Sequence, residues 1–240
     1  MGPKSLIDAA DANTSIASSH QTLSSQFCIG DLEHDLHNTF AANRTPHDQY
    51  VYVNHGNVTR ALNDFCDEKS FTERINPLVV AGSSGVGKSS VLANWLLHHQ
   101  SEKRRNRGAD EFVFWHVVGC SRQSTYTYQT LRRLMTELKH HFELPTEVHA
   151  NDEKLPWDFP RFLELAAKKG RIVIIIDGLH RLRTTGGDLG LKWLPLSFPP
   201  NVRLILSTTS PSMDPTEGDF DTGNAEDDAV SFLTFTITNN

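Results

Sequence analysis

Residues 82–89 combine glycines, a lysine and a hydroxyl group at a spacing that is typical of a phosphate-binding loop. The segment reads GSSGVGKS and matches the pattern GxxxxGK(S/T) at every fixed position. Backbone N–H groups can converge on a triphosphate only where the loop approaches it closely, and glycines permit that approach. Lys88 is expected to reach the β- and γ-phosphates, and Ser89 to place its hydroxyl on Mg²⁺. The residues that this motif predicts to bind the nucleotide are Gly82, Ser83, Ser84, Gly85, Val86, Gly87, Lys88 and Ser89.

An acidic residue that could hold the metal follows a separate apolar run. Residues 172–176 read IVIII, and Asp177 comes directly after them. Five β-branched residues in a row favour a buried strand, and ligands of open α/β folds bind at the carboxyl ends of such strands. We therefore predict Asp177 and Ser89 as the Mg²⁺ ligands. An ordinary aspartate in a loop is the alternative reading of Asp177 alone.

The residues after Asp177 bear on hydrolysis. They read GLHR and contain no carboxylate that could activate an attacking water. His180 is the candidate catalytic residue because an imidazole could polarise a water, although a surface histidine without a role fits the sequence as well. Slow or impaired hydrolysis is expected. The sequence has no NKxD-type segment for selecting guanine, which favours ATP over GTP.

Apolar runs and helical stripes alternate along the chain around these motifs. Strands are predicted at 78–81, 112–118, 172–176 and 202–206, and a helix stripe is strongest between Leu131 and Phe142. Asn57 and Asp158 are predicted to cap two of the helices. Continuous apolar strands that alternate with helices indicate a mostly parallel sheet covered on both faces. The fold class is therefore α/β, the three-layer fold of P-loop NTPases, preceded by a short helical segment.

Changes in composition divide the chain into five parts. Residues 1–26 are predicted to be a disordered tail, 27–70 a helical segment and 71–212 the nucleotide-binding core. Residues 213–229 hold seven acidic residues and no lysine or arginine, so we predict a flexible acidic loop there. Residues 230–240 alternate apolar side chains with threonines and are predicted to form a terminal strand.

Composition and charge narrow the classes of function. The longest strictly apolar run has five residues, whereas a membrane helix needs about 20, so no membrane association is predicted. The net charge of −6 is concentrated in the acidic loop, which leaves the rest nearly neutral and argues against nucleic-acid binding. Three cysteines without CxxC spacing favour reduced thiols in a cytoplasmic protein.

Four segments resemble the NACHT-type STAND NTPases, most closely the nephrocystin-like branch that carries tetratricopeptide repeats. These segments are PLVVAGSSGVGKSSVLANWL, FVFWHVVGCSRQSTYTYQTLRRLMTELKHHF, RIVIIIDGLHRL and NVRLILSTTS, and the resemblance covers Tyr50 to Ser210. It implies an ATP-dependent conformational switch, with protein partners and nucleotide-dependent self-association as further expectations. By motif position it also implies that the phosphate-binding loop extends from Gly82 to Ser90, and that Ser207 or Thr208 occupies the sensor position.

The chain departs from that family's pattern in three places. His180 and Arg181 stand where the family has further acids, and residues 209–211 (TSP) follow the sensor strand where the family often has arginine. The sequence also stops at Asn240, before the lid, winged-helix and repeat modules would follow, which suggests a fragment or short form. Two alternatives to the switch remain open: a competent ATPase or small-molecule kinase, and an interaction module with a vestigial loop.

Overall fold

A parallel sheet lies at the centre of the computed structural model, which describes residues 32–46, 52, 55–67, 75–105, 111–183, 191–195, 197–209 and 233–237. Within these residues the strands are β1 (Leu78–Gly82), β2 (Glu111–Val117), β3 (Arg171–Asp177), β4 (Val202–Thr209) and β5 (Leu233–Ile237). Their order across the sheet is β2-β3-β4-β1-β5, and every neighbouring pair is parallel. The carboxyl ends of all the strands therefore meet at one edge.

Helices cover both faces of the sheet. The helices are α1 (32–42), α2 (Gly56–Asp67), α3 (Lys88–Arg105), α4 (Thr127–Phe142) and α5 (Leu155–Ala167). Apolar residues of α4 and α5 pack on one face, and residues of α2 and α3 pack on the other. The predicted α/β three-layer fold with a parallel sheet is confirmed. The predicted tail 1–26 and acidic loop 213–229 lie outside the described residues.

Strand β3 shows why the apolar runs are continuous. Ile172, Ile174 and Ile176 belong to the core under α4 and α5, whereas Val173 and Ile175 belong to the core under α2 and α3. All five side chains are at most 1% exposed. Because both faces of the sheet are buried, neither set of alternating side chains can be polar. This packing fixes Asp177 at the point where the strand leaves the core.

Both predicted helix caps were wrong. Helix α2 begins at Gly56, so Asn57 lies in its first turn, and the N–H of Val58 donates to the carbonyl of His55. Helix α5 begins three residues before Asp158, because a short 3₁₀ turn over Asp152–Lys154 runs directly into it. The side chain of Asn151 accepts from the N–H of Glu153 and so starts that turn.

Helix α1 is attached to the sheet by buried polar groups. His37 is 1% exposed, its Nδ1 accepts from the N–H of Val117 at 3.0 Å, and its carbonyl accepts from the indole of Trp115. The neighbouring His116 is also buried, and its Nε2 lies 3.0 Å from the hydroxyl of Thr130. Burial and the positive charge of Arg133 lower the pKa of His37 to about 2 and that of His116 to about 3.

The lowered pKa values of His37 and His116 predict that the protein loses stability in mild acid. In the unfolded chain each would titrate near pH 6.5, so below that pH the unfolded state binds two protons that the folded state excludes. The stabilisation is therefore complete at neutral pH and is lost as the pH falls, by about 2 kcal/mol between pH 7 and pH 5.5. Urea unfolding at a series of pH values measures it.

The variant His37→Asn is the control for this pH effect. Its side-chain oxygen can still accept from Val117, but the variant has one titrating group fewer. We expect it to lose about half as much stability as the wild type over the same range of pH. Equal losses in the two proteins would show that His37 does not contribute.

Candidate functional site

The glycine-rich loop connects β1 to the first turn of α3. Gly85 and Gly87 have φ angles of 78° and 100°, which residues with a Cβ rarely adopt. A Cβ at Gly85 would meet no atom within 4 Å, so the requirement for glycine there is conformational rather than steric. The N–H of Val91 donates to the carbonyl of Gly87, which joins the loop to the helix. The N-terminal end of α3, with its partial positive charge, therefore opens beside the loop.

Lys88 lies inside the loop and is 8% exposed. Its ammonium donates to the carbonyls of Gly82 and Ser83 at 2.6 and 2.7 Å. Burial lowers the pKa of Lys88, while the carboxylate of Asp177 raises it and Arg181 lowers it. The loop thus holds the lysine with its charge near the carboxylate at the end of β3.

Asp177 is the last residue of β3 and is 2% exposed. The hydroxyl of Ser207, on the neighbouring strand β4, donates to its Oδ1 and accepts from the N–H of Gly178 at 2.8 Å. The carbonyl of Asp177 accepts from the N–H of Val118, beyond the end of β2. Ser207 of β4 therefore fixes the orientation of the carboxylate, while the hydrogen bond from Val118 holds the backbone that carries it.

Only one of the two candidate sensor residues reaches the site. Ser207 contacts Asp177, whereas the hydroxyl of Thr208 hydrogen-bonds to the carbonyl of Thr209 and does not line the cavity. The reason is the pleat, because neighbouring side chains on β4 point to opposite faces. The strand also continues to Thr209, three residues past its predicted end.

A cavity of about 360 Å³ opens between the loop and the ends of β2, β3 and β4. That volume lies within the range of small-molecule sites. It is lined by Ser84, Gly85, Gly87, Lys88, Ser89, Ser90, Val117, Val118, Asp177, Gly178, His180, Arg181, Ser207 and Thr209. Most of the predicted site residues are therefore brought together here. Gly82, Ser83 and Val86 belong to the loop but do not line the cavity.

His180 lies in the short turn after β3 and lines the same cavity as the loop. Its Nδ1 accepts from the backbone N–H of Thr209 at 3.4 Å. Burial lowers the pKa of His180, the positive charges of Arg181 and Lys88 lower it further, and Asp177 opposes them. The lowered pKa favours the neutral form of the imidazole.

Sequence reasoning missed several residues that line the cavity. Arg181 was noted only for standing where acids are expected, yet it lines the cavity, and its Cδ lies against Gly178. Val117 and Val118 could have been found, because the end of β2 must meet the same edge of a parallel sheet as the end of β3. The contact of Thr209 with His180 depends on tertiary packing and has no local signal.

The residues of this cavity fit a magnesium-bound nucleotide. The left-handed glycines shape a loop around Lys88, as phosphate oxygens require. The hydroxyl of Ser89 and the carboxylate of Asp177 line the same cavity, and both are hard oxygen donors of the kind that Mg²⁺ prefers.

Among the helices within the described ranges, none has the length and apolarity needed to cross a membrane.

Several larger proteins are similar to part of this chain. Nephrocystin-3 of Mus musculus is 32% identical over 55% of the chain, and the TPR repeat-containing protein DDB_G0287407 of Dictyostelium discoideum is 27% identical over 54%. Telomerase protein component 1 of Rattus norvegicus is 30% identical over 56%. The matched regions make up 10%, 10% and 5% of those proteins, so the chain spans a tenth or less of their length.

Solved structures and a family model also match parts of this chain. In a structure of Drosophila ORC bound to DNA, a chain with 13% identity matches at a TM-score of 0.49, over 75% of this chain and 40% of that one. The Aeropyrum pernix ORC1 protein in complex with DNA matches at 0.43, with 16% identity, over 67% and 40%. The model of the AAA ATPase domain matches residues 56–206, more than half of the sequence, from the start of α2 to within β4. The chain therefore belongs to the AAA ATPase domain family of P-loop ATPases.

Proposed function

We propose that this chain is the Mg·ATP-binding module of a NACHT-like regulatory switch of the STAND type, with slow hydrolysis. One observation carries the proposal: Lys88, Ser89 and Asp177 line one cavity, and among its described lining residues only Asp177 has a carboxylate. The cavity thus has the groups that bind a triphosphate and a metal, but it has no second acid to activate a water. Such a site is expected to bind ATP but to hydrolyse it slowly.

The roles of the individual residues follow from their places in the cavity. The loop 82–90 would surround the phosphates, with Lys88 against the β- and γ-phosphates. Ser89 and Asp177 would hold Mg²⁺, which neutralises phosphate charge when it is bound. Ser207 would keep the carboxylate of Asp177 in place, since it donates to Oδ1 and is itself held by Gly178.

The switch is proposed from the relatives rather than from the cavity. One of them is a TPR repeat-containing protein and another is nephrocystin-3. Each is about ten times longer than the matched region. A nucleotide module within such a protein could control self-association or access to protein partners through its bound state. The cytoplasmic location of the protein remains a prediction. The division of the chain after residues 26, 70, 212 and 229 is also a prediction.

A competent ATPase is the second candidate. It is favoured by the position of His180, whose imidazole lines the same cavity as Lys88 and would be near the phosphates of a bound nucleotide. The two candidates differ in rate: a site without a complete water-activating group is expected to turn over below about 0.01 s⁻¹, whereas competent enzymes commonly exceed about 1 s⁻¹.

Thermal unfolding and turnover together test the proposal. With Mg·ATP at about 100 times its dissociation constant, linkage predicts roughly 2.7 kcal/mol of stabilisation, or a midpoint rise of about 5–10 °C. Mg·GTP should have a smaller effect, and EDTA should reduce the effect of ATP. Fast phosphate release would favour the competent ATPase. A midpoint that no nucleotide changes would favour the interaction module with a vestigial loop.

A further inference from the structure

The side chain of His180 has a defined hydrogen-bonding direction in the nucleotide cavity. Its Nδ1 accepts from the N–H of Thr209, the last residue of β4. A ring nitrogen can accept a hydrogen bond only if it carries no proton, so the proton of the neutral ring is on Nε2. The nitrogen that remains for a ligand is therefore a donor.

The surroundings of this donor suit a negatively charged ligand. His180 lines the cavity together with Lys88 and Arg181, and two of these three side chains are positively charged. Asp177 supplies the opposing charge, but it is hydrogen-bonded to Ser207 and lies three residues before His180 along the chain. The 3₁₀ turn Leu179–Arg181 places the imidazole beyond the end of β3, in the lining of the same cavity as the loop.

We propose that His180 donates from Nε2 to the terminal phosphate of ATP and so separates triphosphate from diphosphate. This inference rests on the proposed function, because it requires a nucleotide in the cavity with its β-phosphate on the loop. ADP lacks the terminal phosphate, so it would not receive this hydrogen bond. His180 is therefore a determinant of specificity, and it is held in place by its hydrogen bond with Thr209 at the end of β4.

The same geometry opposes a role as general base. To take a proton from water, the ring would need a free lone pair directed into the cavity. The lone pair of Nδ1 is used by Thr209, and Nε2 already carries a proton. A water at this position would be held by His180 as an acceptor of its hydrogen bond rather than deprotonated.

Two substitutions separate the functions of the two nitrogens. His180→Asn keeps an oxygen near the position of Nδ1, which can accept from Thr209, but removes the distal donor. His180→Gln extends an amide N–H toward the position of Nε2. Dissociation constants are measured by calorimetry for each protein with Mg²⁺ and either a non-hydrolysable ATP analogue or ADP. Turnover at saturating ATP is measured alongside.

We expect His180→Asn to weaken binding of the ATP analogue about 10-fold and to leave ADP binding within about 2-fold, as for one charge-assisted hydrogen bond. His180→Gln should retain most of the preference for the triphosphate. The inference is overturned if both nucleotides weaken equally, if neither changes, or if turnover falls while both dissociation constants stay the same. Wild-type protein that binds neither nucleotide would instead overturn the proposed function, and this inference with it.

Discussion

Replacing Lys88 with alanine is expected to weaken Mg·ATP binding at least about 100-fold while the protein stays folded. Lys88 is 8% exposed, and in such a site the charge-assisted hydrogen bonds from its ammonium to the β- and γ-phosphates of ATP would be strong. Its present partners are the carbonyls of Gly82 and Ser83; the contact with Ser83 is partly buried, whereas the contact with Gly82 is buried. The loss of these hydrogen bonds is expected to lower the free energy of unfolding by about 1–2 kcal/mol, which leaves the protein folded.

Calorimetric titration with Mg·ATP measures the loss of affinity, and urea unfolding tests whether the fold is kept. Lys168→Ala is the matched control, because Lys168 is exposed beyond the end of α5, far along the chain from the loop. That variant should bind ATP as the wild type does. Normal binding by Lys88→Ala would remove the phosphate-binding role of the loop.

Replacing Arg203 with alanine is expected to destabilise the protein by about 4 kcal/mol. Arg203 lies on β4 and is 1% exposed. Its Nε donates to the carbonyl of Phe65, in the last turn of α2, and its Nη1 donates to the carbonyl of Pro200, both at 2.7 Å. Without the guanidinium these carbonyls lose a donor in a buried site, at about 1–3 kcal/mol each, and a cavity remains.

The measurement is urea unfolding of Arg203→Ala, Arg203→Lys and Arg161→Ala. Lysine keeps the charge but cannot reproduce the planar fork, so an intermediate loss of about 2 kcal/mol is expected. Arg161 is exposed on α5, and its removal should change stability by less than about 0.5 kcal/mol. A loss below about 1 kcal/mol for Arg203→Ala would show that the link between α2 and β4 is not needed for stability.

The sheet and the loop were predictable because their signals are local. An unbroken run such as Ile172–Ile176 fits a strand buried on both faces, and GSSGVGKS specifies its own backbone angles. The same unbroken burial hides the pleat: β4 has no alternation from which to tell whether Ser207 or Thr208 points to Asp177. The helix caps failed because Asn57 and Asp158 fit a capping pattern while earlier residues already start each helix.

Interactions between distant segments were beyond the sequence. His37 meets the N–H of Val117, and Arg203 meets the carbonyl of Phe65, across many residues without any local pattern. Histidines are usually expected near the surface, so two that are buried in one cluster beside Arg133 could not be foreseen. The hydrogen bond from Thr209 that determines which nitrogen of His180 faces the cavity belongs to the same class.

The strand order also dictates when the nucleotide site can exist during synthesis. The loop follows β1, whose neighbours in the sheet are β4 and β5. Leu78 therefore cannot pair with Ile205 or Leu233 until those residues have left the ribosome. Until then the emerging chain exposes an apolar strand whose partners have not been made, a condition that attracts chaperones. A nucleotide could bind at the proposed site only after β4 has paired with β1, so it would act on the nascent protein as a late ligand that stabilises chains with a completed site.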